Sequence, residues 1–160
     1  MSSDRIEKRV VLRAPLDRVW RAVSDAEQFG RWFGVRFDGP FVEGGFVTAV
    51  ITPTAVDDEV AKRQEPHTGV KSTWEIVALE PQRRFAYRWH PFAVAPEVDY
   101  DQEPTTLVEF TLAEVPDGVL LTIVESGFDA IPEARRRSSF EANSEGWAIQ
   151  THLVRRYVES

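Results

Sequence analysis

The chain has 160 residues, a formal net charge of −7 and no cysteine. Its length suits one domain with a real core, and 42% hydrophobic with 28% charged residues is ordinary globular usage. The missing cysteines exclude disulfides, thiolate zinc sites, iron–sulfur clusters and a cysteine nucleophile; no apolar run approaches the roughly 18 residues of a membrane span, and MSSDRIEKRV lacks the apolar stretch of a secretory leader, so a cytoplasmic protein is expected.

Residues 5–13, RIEKRVVLR, place Ile6, Val10 and Leu12 at even positions among charges, a strand pattern. In APLDRVWRAVSD, Pro15 suits a helix's first turn, and Leu16, Val19, Trp20 and Val23 recur at helical spacing. Asp25 is placed to cap a second short helix, AEQFGRWF, and Gly34 to end it. Two strand-like runs follow, VRFDG and GGFVTAVIT. Residues 53–71 are polar, with two prolines and no clean period, and read as a long loop with room for a short helix.

Four further strands form two hairpins. STWEIVAL joins RRFAYRWH through Glu80-Pro81-Gln82, and TTLVEFTLAE joins VLLTIVES through Val115-Pro116-Asp117-Gly118. Alternation puts Phe85, Tyr87 and Trp89 on one face and Arg84, Ala86 and Arg88 on the other. Val108, Phe110 and Leu112 point in, while Glu109 and Thr111 point out, so Arg88 and Glu109 are expected to pair across neighbouring strands. After the connector GFDAIP, a final helix runs from about Pro132 to about Glu159. Phe140, Trp147, Val154 and Val158 mark its apolar stripe, which Leu153 and Tyr157 widen. No linker or repeat interrupts the chain, and 1–160 reads as one domain.

Charge is unevenly spread. From Trp89 to Ala134 there are ten acids and no lysine or arginine, against 16 acids and 19 bases elsewhere. Phosphate binding needs clustered cations, and the only basic run, Arg135-Arg136-Arg137, reads as a solvated face or as partners for acids within the chain; nucleic acid is not expected as a partner. The three histidines, His67, His90 and His152, have no metal-ligand spacing. Asp99, Asp101 and Glu103 alternate, but the segment lacks the glycine and the terminal glutamate of a calcium loop, so it reads as a solvated connector. No metal and no cofactor are expected, and His90 is placed at a rim.

The element order (strand, two short helices, antiparallel meander, long C-terminal helix) makes an α+β helix-grip fold, a curved antiparallel sheet wrapped around the last helix, because that helix must cover the aromatic face of the sheet. The residues themselves carry a resemblance. VVLRAPLDRVWRAVSDAEQFGRWF resembles the opening of the SRPBCC superfamily, also called START-like. RFAYRWHPFA, TTLVEFTLAEVPDGVLLTIVESGFD and EGWAIQTHLVRRYV are similar to the branch named for the C-terminal domain of the activator of heat-shock protein 90 ATPase. The resemblance implies an apolar cavity between sheet and long helix that binds a small hydrophobic or aromatic molecule. It also implies two alternatives: a polyketide-cyclase or dehydratase type of enzyme, and a chaperone-associated interaction protein, the latter weakened by the lack of that activator's separate N-terminal domain. Monomer and homodimer both occur among such proteins. The label vanillate O-demethylase oxidoreductase, which similar chains carry, demands a flavin, a nicotinamide and an iron–sulfur cluster; a chain without cysteine or GxGxxG argues against it.

Within that frame, Glu125 shares parity with Leu121 and Ile123 and is aimed inward. Facing an apolar cavity, its carboxyl would be pushed upward and could act as acid or base; alternatively it ends its strand paired with an arginine or a backbone amide. Trp74, Phe85, Tyr87, Trp89 and Phe110 either line a cavity, with the Tyr87 hydroxyl as polar handle, or fill a core. Phe29, Trp32 and Phe33 either form the cavity mouth or staple the second helix to the sheet. Ser144, Trp147 and Thr151 share a helix face that looks into a wet pocket or bonds carbonyls one turn back. Gly146 sits in the helix interior at a cost of about 1 kcal/mol relative to alanine.

Overall fold

The computed structural model describes residues 4–91 and 103–160. β1 (Arg5–Leu12) leads into α1 (Leu16–Ser24) and α2 (Ala26–Phe33). β2 (Val35–Phe37) and β3 (Phe46–Ile51) precede α3 (Asp58–Gln64) and a 3-10 turn, Glu65–His67. β4 (Lys71–Glu80), β5 (Arg84–Trp89), β6 (Thr106–Val115) and β7 (Gly118–Ser126) form the meander, and α4 (Glu133–Glu159) closes the chain. The polar stretch 53–71 therefore holds a short helix. Asp99 and Asp101 of the acidic connector lie outside the described residues. Among the described residues, no helix is long and apolar enough to cross a membrane.

All seven strands join one antiparallel sheet in the order β1-β7-β6-β5-β4-β3-β2. The open side between β1 and β2 is spanned by α1 and α2, and α4 packs against β1, α1 and α2. Local chemistry explains the boundaries. Asp25 Oδ1 accepts from the Glu27 and Gln28 amides and starts α2; Gly34, at φ 97°, ends it in the left-handed region that a side chain resists. At Gly118 (φ 146°) a Cβ would collide with the Leu12 carbonyl, so the β6–β7 hairpin can tuck under the end of β1.

The aromatic face is packed by α2. Phe29, Trp32, Trp74, Phe85, Tyr87 and Phe110 are all buried. Phe29 lies 5.8 Å from both Trp74 and Phe110, and Trp74 stacks on Tyr87 at 4.4 Å. These rings occupy the space in which a cavity of a few hundred cubic ångström was expected. The Trp32 indole N–H donates to the Ala22 carbonyl at 2.8 Å, which locks α1 and α2 together.

One expected pair is corrected. Arg88 stands opposite Leu107, and Glu109 opposite Ala86. The cation that meets Glu109 is Arg84, at 2.8 Å, and Arg84 also holds Glu80 at 3.0 Å. Arg84 and Arg88 both stand diagonal to Glu109; Arg84, which is long enough to reach across two strand positions, also has Glu80 opposite it and forks between the two carboxylates.

Candidate functional site

Glu125, the penultimate residue of β7, is fully buried. Strand parity aims it inward, and four side chains converge on it from three other elements. Trp89, at the end of β5, donates its indole N–H to Oε2 at 2.7 Å, and Thr106, at the start of β6, donates its hydroxyl to Oε2 at 2.6 Å. From α4, the Trp147 indole N–H reaches Oε1 at 2.8 Å, and the Asn143 amide reaches both oxygens, at 2.9 and 3.1 Å. Asn143 and Trp147 are one turn apart and share a helix face. Every partner is neutral and every one donates. That suits a carboxylate, an acceptor only, and it uses the lone-pair positions of both oxygens. Charge neutralisation is replaced here by hydrogen bonds, the other way of keeping a buried acid tolerable.

This arrangement differs from a carboxyl facing an empty apolar cavity. With both oxygens engaged, Glu125 can take part in proton transfer only after a donor has left. Its immediate effect is positional: it fixes the orientation of Trp89 and Trp147, whose rings stand 5.7 Å apart at 33°.

Those two rings wall a small crevice of about 80 Å³, completed by Phe33, Asn143, Gly146 and Gln150. A Cβ on Gly146 would meet nothing within 4 Å, so the glycine leaves open space. Gln150 donates from Nε2 to the Phe33 carbonyl at 3.1 Å, whereas its buried Oε1 has no partner among the described residues. Beneath the site, the Tyr87 hydroxyl is also buried, without a partner among the described residues; burial first, and the Glu125 charge second, push its pKa well above the ordinary 10.

The rim is a clasp. Arg135 donates to both carboxylate oxygens of Glu103, at 2.7 Å and 3.2 Å, and to the Pro91 carbonyl at 3.3 Å. His90 Nε2 contacts the Glu103 carbonyl oxygen at 3.0 Å. His90 thus belongs to the rim, and the basic run serves the fold: Arg136 caps the Asp129 and Ile131 carbonyls and Arg137 pairs with Glu141. Among the described residues, no group of three or more histidine, aspartate or glutamate side chains is arranged to hold a metal.

The family model for Activator of Hsp90 ATPase homolog 1-like protein matches residues 13–159. The chain belongs to this family. Solved structures agree with it in fold. DynU16, from the dynemicin biosynthetic locus, is 24% identical with a TM-score of 0.69; the alignment covers 98% of this chain and 48% of DynU16, so the chain spans about half of that protein. Protein MLL2253 from Mesorhizobium loti is 20% identical over 97% of this chain and 96% of its own, with a TM-score of 0.69. The Aha1 dimer from Colwellia psychrerythraea is 14% identical over 97% and 96%, with a TM-score of 0.66. At these identities the likeness is one of fold. No curated protein matches the chain.

In this activator-family chain, the structure sorts the expected residues into three groups. Glu125, Trp89 and Trp147 meet at the crevice, with Phe33 on its wall. Phe29, Trp32, Trp74, Phe85 and Phe110 lie in the packed core behind it, with Tyr87. Thr151 donates to the Ala148 carbonyl at 2.8 Å, the bond one turn back, and Ser144 is half-buried and is not among the donors to Glu125. Asn143 and Thr106 were not picked out from the sequence. Both were marked by pattern: Asn143 lies four residues before Trp147, and Thr106 shares parity with Val108 and Phe110.

Proposed function

We propose that the protein binds the ring end of a small aromatic molecule in the crevice between α4, the end of β5 and the end of α2. The observation that carries this reading is the Glu125 network, which holds two tryptophans in fixed orientation around an opening that a glycine keeps clear. Aromatic walls with a few placed polar groups are the usual make-up of a small-molecule site. The volume of about 80 Å³ limits the buried part to about one ring, with the rest of the ligand outside. Gln150 Oε1 supplies an acceptor, so a ring bearing an O–H or N–H is favoured over a purely apolar one. Glu125 acts as a positioning residue.

The test is phenol titrated into the protein, followed through the indole N–H signals of Trp89 and Trp147. Phenol should shift both saturably, anisole, which has no donor, should bind more weakly by about tenfold, and Gly146→Leu should abolish the shifts. Silence from phenol, or equal affinity for anisole, would sink the reading. Native mass spectrometry of the protein as purified adds a direct search for a retained ligand.

A second reading rests on another observation. Val42, Phe46 and Val77 are exposed, Phe46 by 68%, around the paired segment where Gly44 and Gly45 bond to Ile76. Family membership makes an Hsp90-type chaperone the partner to try against this apolar surface. A Phe46→Lys variant that keeps its melting temperature but loses stimulation of the chaperone's ATPase would favour this reading; no stimulation by the unaltered protein would end it.

A further inference from the structure

A second opening lies across α2 from the crevice. It encloses about 810 Å³, within the ~300–1,000 Å³ typical of small-molecule sites, and its walls are the α1–α2 junction, one face of α2, β2 and the segments around 39–41 and 52–55. α2 separates the two openings: Phe33 lines the crevice, whereas Gly30 and Arg31 line this cleft. Nothing in the reading of the Glu125 crevice depends on it.

The cleft is built by backbone contacts. A Cβ at Gly30 would collide with the Val35 carbonyl oxygen, so β2 can lie flush on α2 only because that residue is glycine. The opposite wall is stitched to the end of the same helix. The Ala55 amide donates to the Arg31 carbonyl at 3.0 Å, the Thr52 amide to the Gly34 carbonyl at 3.0 Å, and the buried Thr54 hydroxyl to the Trp32 carbonyl at 2.8 Å. Walls fixed in this way need little ordering when a ligand arrives.

The cleft joins aromatic surface to an exposed cation at its edge. Phe37 and Phe41 meet edge to face at 4.8 Å, with Pro40 and Pro53 beside them. Four charged residues line the cleft. Asp25 is engaged as the N-cap of α2, and Glu27 and Arg31 pair with each other at 2.5 Å. The Arg36 guanidinium has neither a hydrogen bond nor an ion pair among the described residues; in the short strand β2 it leaves on the exposed face, opposite Val35 and Phe37, at the edge of the cleft. A guanidinium at the edge of an apolar, aromatic cleft matches an anionic head on a flat apolar body.

We propose that this cleft is a distinct binding site for an organic monoanion, the apolar body lying on Phe37 and Phe41 and the anionic head on Arg36. Carboxylate and sulfonate offer the same chemistry to a guanidinium, so 1-naphthoate and 1-naphthalenesulfonate are both used as probes, with 1-naphthylmethylammonium as the cationic control. Backbone amide shifts are followed during titration of the full chain. The expected result is saturable shifts at Phe37, Phe41 and Ala55 with either anion and none with the cation. Arg36→Gln should weaken binding by about tenfold or more, and Arg36→Glu should abolish it. Gly146→Leu, which fills the crevice on the other side of α2, should leave anion binding unchanged. Arg36 is exposed, so the variants are expected to keep the parent melting temperature. Equal affinity of the Arg36→Gln variant, equal affinity for the cation, or shifts that fall on Trp89 and Trp147 instead would each overturn the proposal.

Discussion

Two carboxylates anchor α4 to the rest of the molecule, and they are held in opposite ways. Glu125 grips the first half of the helix through Asn143 and Trp147, four residues apart; Asp57 grips the second half through His152 and Arg156, again four apart. Glu125 is buried and meets only neutral donors. Asp57 is half-buried under more exposed partners: Oδ1 caps α3 through the Glu59 and Val60 amides, and Oδ2 takes His152 Nε2 and Arg156 Nη1, each at 3.0 Å. The difference shows how solvent decides the partner type. Inside the protein, a carboxylate needs its lone pairs filled, and neutral donors do so without bringing a second charge out of water. Near the surface, water and salt reach the pair through its half-exposed partners, and a cation adds a weaker, screened attraction. The first node is therefore expected to be rigid and costly to disturb, the second cheap and tunable by pH.

The sharpest way to break the comparison is Glu125→Leu. It leaves donors on Trp89, Thr106, Asn143 and Trp147 without an acceptor, each costing about 1–3 kcal/mol. Urea unfolding should show a loss of about 4 kcal/mol or more; a loss below about 1 kcal/mol would mean that the node is not a unit. Glu125→Gln, which keeps one acceptor but turns an amide N–H₂ toward other donors, should fall between this variant and the parent. Next in size is Trp147→Phe, which removes one charge-assisted bond and should cost about 2 kcal/mol.

Gly146→Ala lies inside the first gripping pair, beside Trp147. It should raise stability by about 1 kcal/mol, through helix propensity alone, because the added Cβ meets nothing within 4 Å. Combined with Asp57→Asn, whose partners His152 and Arg156 lie further along the helix, its effect should simply add; strong non-additivity would show that α4 is not held at two separate places.

The smallest expected effect is Asp57→Asn, and its signature is pH. The Val60 amide first, then His152, then Arg156 and the Glu59 amide, bring the Asp57 pKa from an ordinary 3.8 down to about 2. A carboxyl lowered on folding stabilises the folded state above its unfolded value, near 3.8, and loses that contribution as pH falls through about 2. The stability gap between parent and Asp57→Asn should thus be present at pH 5, shrink between pH 4 and 2, and narrow with added salt. A gap that stayed constant across this range would remove the charge from the account and leave only the helix cap.

How much of this was legible in sequence can be read from individual residues. Asp25 and Gly34 announced the ends of α2 because capping is local chemistry, and the hairpin at Val115-Pro116-Asp117-Gly118 was equally plain. Glu125 showed its direction by parity alone. Its partners did not show themselves. Thr106 and Trp89 reach it through strand register, and Asn143 and Trp147 through the rotation of α4 over the sheet, and neither quantity is written in any short stretch of residues. The same gap misplaced the partner of Glu109: alternation told that Arg84 and Arg88 both faced outward, register set both two positions from its partner Ala86, and the contact is made by Arg84, which also meets Glu80.

The sequence by itself determined the order of elements, the family and the inward aim of the aromatic face, because periodicity, caps and turns act over a few residues. Tertiary structure alone decided what that face encloses. Phe29, Trp32 and Phe33 of α2 fill the space under the sheet, so the inward rings of β4, β5 and β6 became core, and the openings moved to either side of α2. Nothing in the spacing of those rings distinguishes a wall from a filling. Only the volume left after close packing does, and that is a property of all the elements together.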